Sequence, residues 1–147
     1  MNGWTCIGAA LAGLAVVIGA FGAHGIDDLM VKRYQDAEPS VVAGLEVPTS
    51  WKRLEDFKTG ADYQMYHALG LIAVGLLASA KPTRWTTIAG WSFLAGILLF
   101  SGSLYALSLT GQTKFGMVAP LGGMFFIVGW IALAIGARSP GNESDSP

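Results

Sequence analysis

His24 and His67 are the two histidines of this 147-residue chain, and they are its side chains that titrate near neutral pH. Hydroxyl and amide groups gather near them in sequence. Tyr63, Gln64 and Tyr66 precede His67, while Ser101, Ser103 and Tyr105 lie in a later apolar stretch. Pro120 stands beside Gly122 and Gly123 in the last one, where it would remove a helical hydrogen bond and free a carbonyl. Histidine with hydroxyl neighbours can relay a proton or hold a small solute, and Asp27, Asp28 and Asp62 lie close enough to orient the imidazoles. Other chemistries find less support. The chain has one cysteine, no H-x3-H, no H-E-x-x-H and no phosphate-binding loop, so no metal, haem or other cofactor is expected. No nucleophile–base pair is visible. Asp62 and His67 are the one candidate dyad, and a five-residue separation puts them on different helix faces. The reading is therefore not an enzyme. A net charge of −1 leaves no basic face for nucleic acid.

These residues must be positioned by unusually apolar elements. The chain is 52% hydrophobic and 13% charged, against roughly 25% charged in an ordinary soluble domain. Of 19 charged residues, 13 lie between Asp27 and Asp62. Charge is absent from Trp4–Gly25, Tyr63–Ala80, Trp85–Leu109 and Met117–Ala137. Each is long enough to cross about 30 Å of hydrocarbon as a helix, the economical way to satisfy backbone groups in lipid. The sequence predicts an all-α membrane protein: four transmembrane helices, at about 4–25, 63–80, 85–109 and 117–137, in an up-down-up-down bundle. Residues 1–138 read as a single domain and 139–147 as a disordered polar tail. The first stretch lacks a positive flank and is too long for a secretory signal, so it reads as a retained helix.

The long polar connection, 26–62, has its own pattern. Ile26, Leu29, Met30 and Tyr34 continue a helical spacing beyond the first span. Glu38–Pro48 breaks it with two prolines and a glycine. From Pro48 to Gly60, Trp51, Leu54 and Phe57 share one side, which predicts a short amphipathic helix, either lying on the membrane surface or solvated as a linker, capped by Thr49 or Ser50 and ended by Gly60. Small residues mark expected close packing: Ala15, Gly19 and Ala23 in the first span, Gly96 and Gly102 in the third, and Gly122 and Gly123 in the fourth. Intramolecular packing is the default meaning, and a homo-oligomer seam is the alternative.

All the chemistry-bearing residues fall on the side of the long connection. At 1.5 Å per residue, His67 lies ~6 Å inside the boundary and Ser101 ~12 Å. A polar pocket opening to that side, built from His24, Tyr66, His67, Ser101, Ser103, Tyr105 and Pro120, is one expectation. The other is that these residues sit at headgroup level or merely permit tight packing.

The stretches GAFGAHG (Gly19–Gly25), KTGADYQMYHA (Lys58–Ala68), FSGSLYALSL (Phe100–Leu109) and APLGGMFFIVGW (Ala119–Trp130) resemble the domain-of-unknown-function 423 family, uncharacterised small membrane proteins of the transmembrane protein 256 type. The likeness implies a four-helix inner-membrane protein and brings no activity. Against the family pattern, Glu38–Pro48 looks like an insertion. Two functions follow as expectations: a small transport or channel-like protein with a polar pocket in one leaflet, or an accessory protein packing against another membrane protein. The bilayer is the expected partner. The side of the long connection holds six Lys and Arg and the other side three. The short turn holding Lys81 and Arg84 and the basic loops implied by the resemblance nevertheless favour both termini in the cytoplasm.

Overall fold

The computed structural model describes residues Gly3–Arg138, the side chains of Ala23 and His24 excepted. The expected tail, 139–147, lies outside the described residues. Helix α1 spans Gly3–His24 and α2 spans Asp27–Arg33, followed by strands β1 (Ser40–Val42) and β2 (Leu45–Val47). Helix α3 spans Thr49–Ala80 and α4 spans Arg84–Gly96, which a π-helical segment, Ile97–Ser101, joins to α5 (Gly102–Thr110). A 3-10 turn, Thr113–Met117, leads into α6 (Ala119–Arg138). Four spans are long and apolar enough to cross a membrane: Gly3–Gly22, Thr49–Ala80, Arg84–Thr110 and Thr113–Arg138.

Two expectations about the long connection need correction. First, α1 does not run on into α2: Gly25 and Ile26 both donate to the carbonyl of Phe21, which closes the helix before α2 begins. Second, the predicted amphipathic helix is not a separate element. It is the first part of α3, a single helix of 32 residues. Gly60 does not end it because it is packed rather than free. A side-chain carbon there would lie 2.8 Å from Cε1 of Tyr105. Nor does Thr49 cap the helix. Its hydroxyl donates to the Glu38 carbonyl at 2.6 Å and accepts from Ser40 Oγ at 2.8 Å, tying the hairpin to α3. At 1.5 Å per residue α3 is about 48 Å long, some 18 Å more than a hydrocarbon core. The surplus carries the charged turns, where Asp56 pairs with Lys52 and with Arg53 at 3.0 Å.

The break at Glu38–Pro48 is a β-hairpin. Ser40 pairs with Val47, Val41 with Glu46 and Val42 with Leu45. Ala43 (φ 51°) and Gly44 (φ 83°) are both left-handed, as a two-residue turn matched to strand twist requires. Beside it, α2 buries Met30, and Tyr34 donates to the Ser108 carbonyl at 2.7 Å, fastening this cap to the end of α5.

The spans pack antiparallel along the chain. Gly8 meets Ala68 and Ile72, whereas Gly22 meets Phe57, so α1 and α3 run in opposite senses. Gly60 meets Tyr105 and Gly70 meets Phe93, which sets α4–α5 against α3 the same way. Gly129 meets Phe93 and Gly136 meets Trp85, which does so for α6. Helix α3 is central, in contact with every other span, while α1 is peripheral. The main core joins Leu71 and Val74 to Ala89, Phe93, Ile97, Phe126 and Ala132.

Candidate functional site

His67 sits where α3, the π segment and α6 meet. It is 5% exposed, and its Nδ1 donates to the Tyr63 carbonyl at 2.7 Å. A carbonyl only accepts, so in the neutral ring the proton is on Nδ1 and Nε2 is left as an acceptor. Nε2 makes no hydrogen bond to the described residues and is not closed off by them. The imidazole stacks on Phe126 (centroids 3.4 Å, planes 6° apart), with Phe93 at 5.7 Å and Trp130 at 6.1 Å. Tyr63 stacks on Phe100 at 4.6 Å. His67, Tyr63, Phe100, Phe126 and Trp130 line a groove of about 470 Å³, with Pro120 and Gly123 at its α6 side, while Phe93 lies behind it in the core. The groove lies on the outside of the bundle, since Met124, Ile127 and Trp130 along its edge are exposed.

The local sequence explains this placement. Tyr63 and His67 are four residues apart on α3, and Phe126 and Trp130 are four apart on α6, so each helix turns one ring pair to the same side. The helices approach because α6 carries glycines at the contact. A side-chain carbon on Gly122 would strike the Phe100 backbone, 2.8 Å from its Cα, and one on Gly129 would lie 2.6 Å from the Phe93 ring. The π segment presents Phe100 to the groove between Gly96 and Gly102, poor helix formers that ease a departure from α geometry.

Of the remaining sequence-predicted pocket residues, Pro120 joins His67 at the groove and the others described do not. Tyr105 is turned to another side of α3, where its hydroxyl donates to Gln64 Oε1 at 3.0 Å. Gln64 Nε2 in turn donates to the Leu11 carbonyl at 2.9 Å, so this amide ties α1, α3 and α5 together. Ser103 spends its hydroxyl on the Phe100 carbonyl at 2.9 Å. Ser101 is fully buried, with no hydrogen-bond partner among the described residues. Tyr66 is 56% exposed and points away from the bundle. His24 closes α1, and its side chain lies outside the described residues. Asp27, Asp28 and Asp62 are exposed. Pro120 lines the groove but frees no carbonyl, because it occupies the first turn of α6, where an N–H has no helical partner anyway. Among the described residues no group of three or more metal-ligating side chains converges.

Of the residues expected to pack helices, Ala15 is buried, and Gly96 and Gly122 face each other across α4 and α6, 3.2 Å from a Gly96 side-chain carbon to the Gly122 carbonyl. At Gly19, Gly102 and Gly123 such a carbon would meet nothing within 4 Å, so these three mark no close approach. The side chain of Ala23 is not described. Sequence reasoning missed the tighter sites. A carbon on Gly8 would lie 2.7 Å from the Ala68 carbonyl, and one on Gly75 2.6 Å from the Thr5 nitrogen. It also missed Gln64 as the bridging amide and the rings of Tyr63, Phe100, Phe126 and Trp130. The paired i,i+4 rings were the available signal.

Four apolar spans with a short extramembrane cap define a multi-pass α-helical membrane protein, with a ring-lined groove on its flank. The chain belongs to the family described as Protein of unknown function (DUF423), whose model matches residues 18–123 and thus the α3 and π-segment walls of the groove. It is similar to the UPF0382 membrane protein YwdK of Bacillus subtilis (strain 168), 41% identical over 138 residues, 93% of this chain and 97% of the relative. A UPF0382 membrane protein of Staphylococcus epidermidis (strain ATCC 12228 / FDA PCI 1200) is 37% identical over 137 residues, 92% of this chain and 94% of the relative. One from Haemophilus influenzae (strain ATCC 51907 / DSM 11121 / KW20 / Rd) is 36% identical over 129 residues, 87% and 88% respectively. No solved structure matches the chain.

Proposed function

We propose that the chain is an accessory protein of the cytoplasmic (inner) membrane that binds a membrane-borne partner in the groove between α3 and α6. The groove itself carries this reading: about 470 Å³ of ring-lined space opening sideways, with an unused imidazole nitrogen in its wall. Its size falls within the 300–1,000 Å³ or so of small-molecule sites. A transport or channel-like role has less support. A polar route would have to continue through the half of the bundle away from the long connection, where Leu71, Val74, Ala89 and Phe93 are closed against one another. Polar groups on that route would also need partners or water.

A photo-crosslinking residue at Ile127, in the groove wall, compared with one at Val16 on the exposed face of α1, tests the proposal in intact membranes. A discrete adduct at 127 that is absent at 16 is the expected result. Equal adducts at both positions would show only bulk lipid and would sink the binding reading. Solute flux into proteoliposomes that depends on His67 would replace it with the transport reading.

A further inference from the structure

The chemistry of the groove narrows what can fill it. Nε2 of the neutral His67 ring accepts a hydrogen bond and cannot give one, so the occupant must bring the donor. No Lys or Arg lines the groove, which leaves a phosphate headgroup without a counter-charge. His67 lies five residues beyond the exposed Asp62, about 7.5 Å along α3, so the donor sits just beneath the headgroups. Tyr63, Phe100, Phe126 and Trp130 offer ring faces and edges, which favour a flat aromatic body over a saturated one.

We infer that the groove holds a quinol, a hydroxylated aromatic ring on an isoprenoid tail, with one ring hydroxyl donating to His67 Nε2 and the tail leaving sideways into the bilayer. This rests on the groove being a binding site and adds the identity of its ligand. A quinol fits better than a quinone, because a quinone carbonyl would face Nε2 acceptor to acceptor and forgo the hydrogen bond. The inference concerns binding alone, with no electron transfer.

The test uses the full chain in nanodiscs at pH 8 under anaerobic conditions, with decylubiquinol, decylubiquinone and dioctanoylglycerol as probes. Saturable binding of the quinol is expected, about fivefold tighter than the quinone, the worth of one hydrogen bond. His67→Phe keeps the ring stack and should erase that preference. Gly123→Leu, placed where a side chain meets nothing within 4 Å, should fill the groove and abolish binding with the unfolding midpoint unchanged. Equal affinity for quinol and quinone, an unaltered preference in His67→Phe, or comparable binding of dioctanoylglycerol would each overturn the inference. So would a protein adduct from Ile127, because the groove would then hold a partner helix. Native mass spectrometry separates the two failures. A different co-purifying molecule lost in Gly123→Leu refutes the quinol and leaves the binding site standing, whereas no groove-dependent ligand at all refutes both.

Discussion

Replacing Gln64 by leucine tests whether a single amide secures the peripheral helix α1. Gln64 is 3% exposed and makes two hydrogen bonds, to the Leu11 carbonyl at 2.9 Å and from Tyr105 at 3.0 Å. Side-chain hydrogen bonds between membrane helices average about 0.6 kcal/mol and reach about 1.7. Two of them set the expected cost of Gln64→Leu at about 1–3 kcal/mol. The larger part comes from the Tyr105 hydroxyl, which loses its partner, because the Leu11 carbonyl keeps its own helical bond. Tyr105→Phe alone should cost about 0.6–1.7 kcal/mol. The double variant leaves neither group orphaned, so its cost should fall short of the sum by a similar amount. Unfolding in mixed dodecylmaltoside–SDS micelles, followed by far-UV circular dichroism, gives all four free energies. Additivity within about 0.3 kcal/mol would mean the two side chains do not interact, and the bridge from α1 to α5 would have to be abandoned.

Three further outcomes are expected. Gly75→Ala should destabilise the protein by about 2 kcal/mol or more in the same assay, since the new carbon lies 2.6 Å from the Thr5 nitrogen, whereas Gly13→Ala, with open space around it, should be neutral or stabilise by up to ~1 kcal/mol; equal effects would refute the assigned α1–α3 contact. Tyr34→Phe removes the bond to the Ser108 carbonyl and should raise amide exchange in α2 about fivefold while leaving the spans unaffected; unchanged α2 exchange would mean the cap is not fastened there. In a Cys6→Ser background, an impermeant maleimide added to intact cells should label Val41→Cys on the hairpin and spare Lys81→Cys; the reverse pattern would place the termini outside.

The four spans were legible because charge is absent from them, and lipid leaves the backbone no other way to satisfy itself. Their ends show where that signal stops. The first span was expected at 4–25 and runs Gly3–His24, and the third, expected at 85–109, runs Arg84–Thr110. The second was expected at 63–80, yet α3 begins at Thr49. Charge density marks where a helix meets the headgroups, not where it ends, and Lys52, Arg53 and Asp56 are compatible with a helix that continues into water. The hairpin escaped notice because Ala43-Gly44 lacks the Asn-Gly or Asp-Gly signature of such turns. The π segment has no sequence signature beyond its flanking glycines. Glycine spacing was ambiguous for a related reason: α1 offers small residues on several faces, and only the position of α3 decides that Gly8 packs while Gly19 does not.

The polar residues separate into depth and direction, and only depth could be counted along the chain. His67, Gln64 and Tyr105 are all near the side of the long connection, as residue counting from the charged boundary requires. Whether they share a cavity depends on which neighbour each faces. On α3, a step of three residues from Gln64 to His67 turns the side chain by about 60° around the axis, since a helix has 3.6 residues per turn. That rotation takes the amide toward α1 and α5 and the imidazole toward α6. The neighbours stand there because Gly8 and Gly75 admit α1 on one side of α3, while Gly122 and Gly129 draw α6 against α4 and the π segment on the other. A central helix with different partners on different faces divides one polar band into two sites. The amide, with both ends engaged, holds helices together. The imidazole, with Nδ1 engaged and its ring in the groove wall, is the group on which the proposed ligand rests.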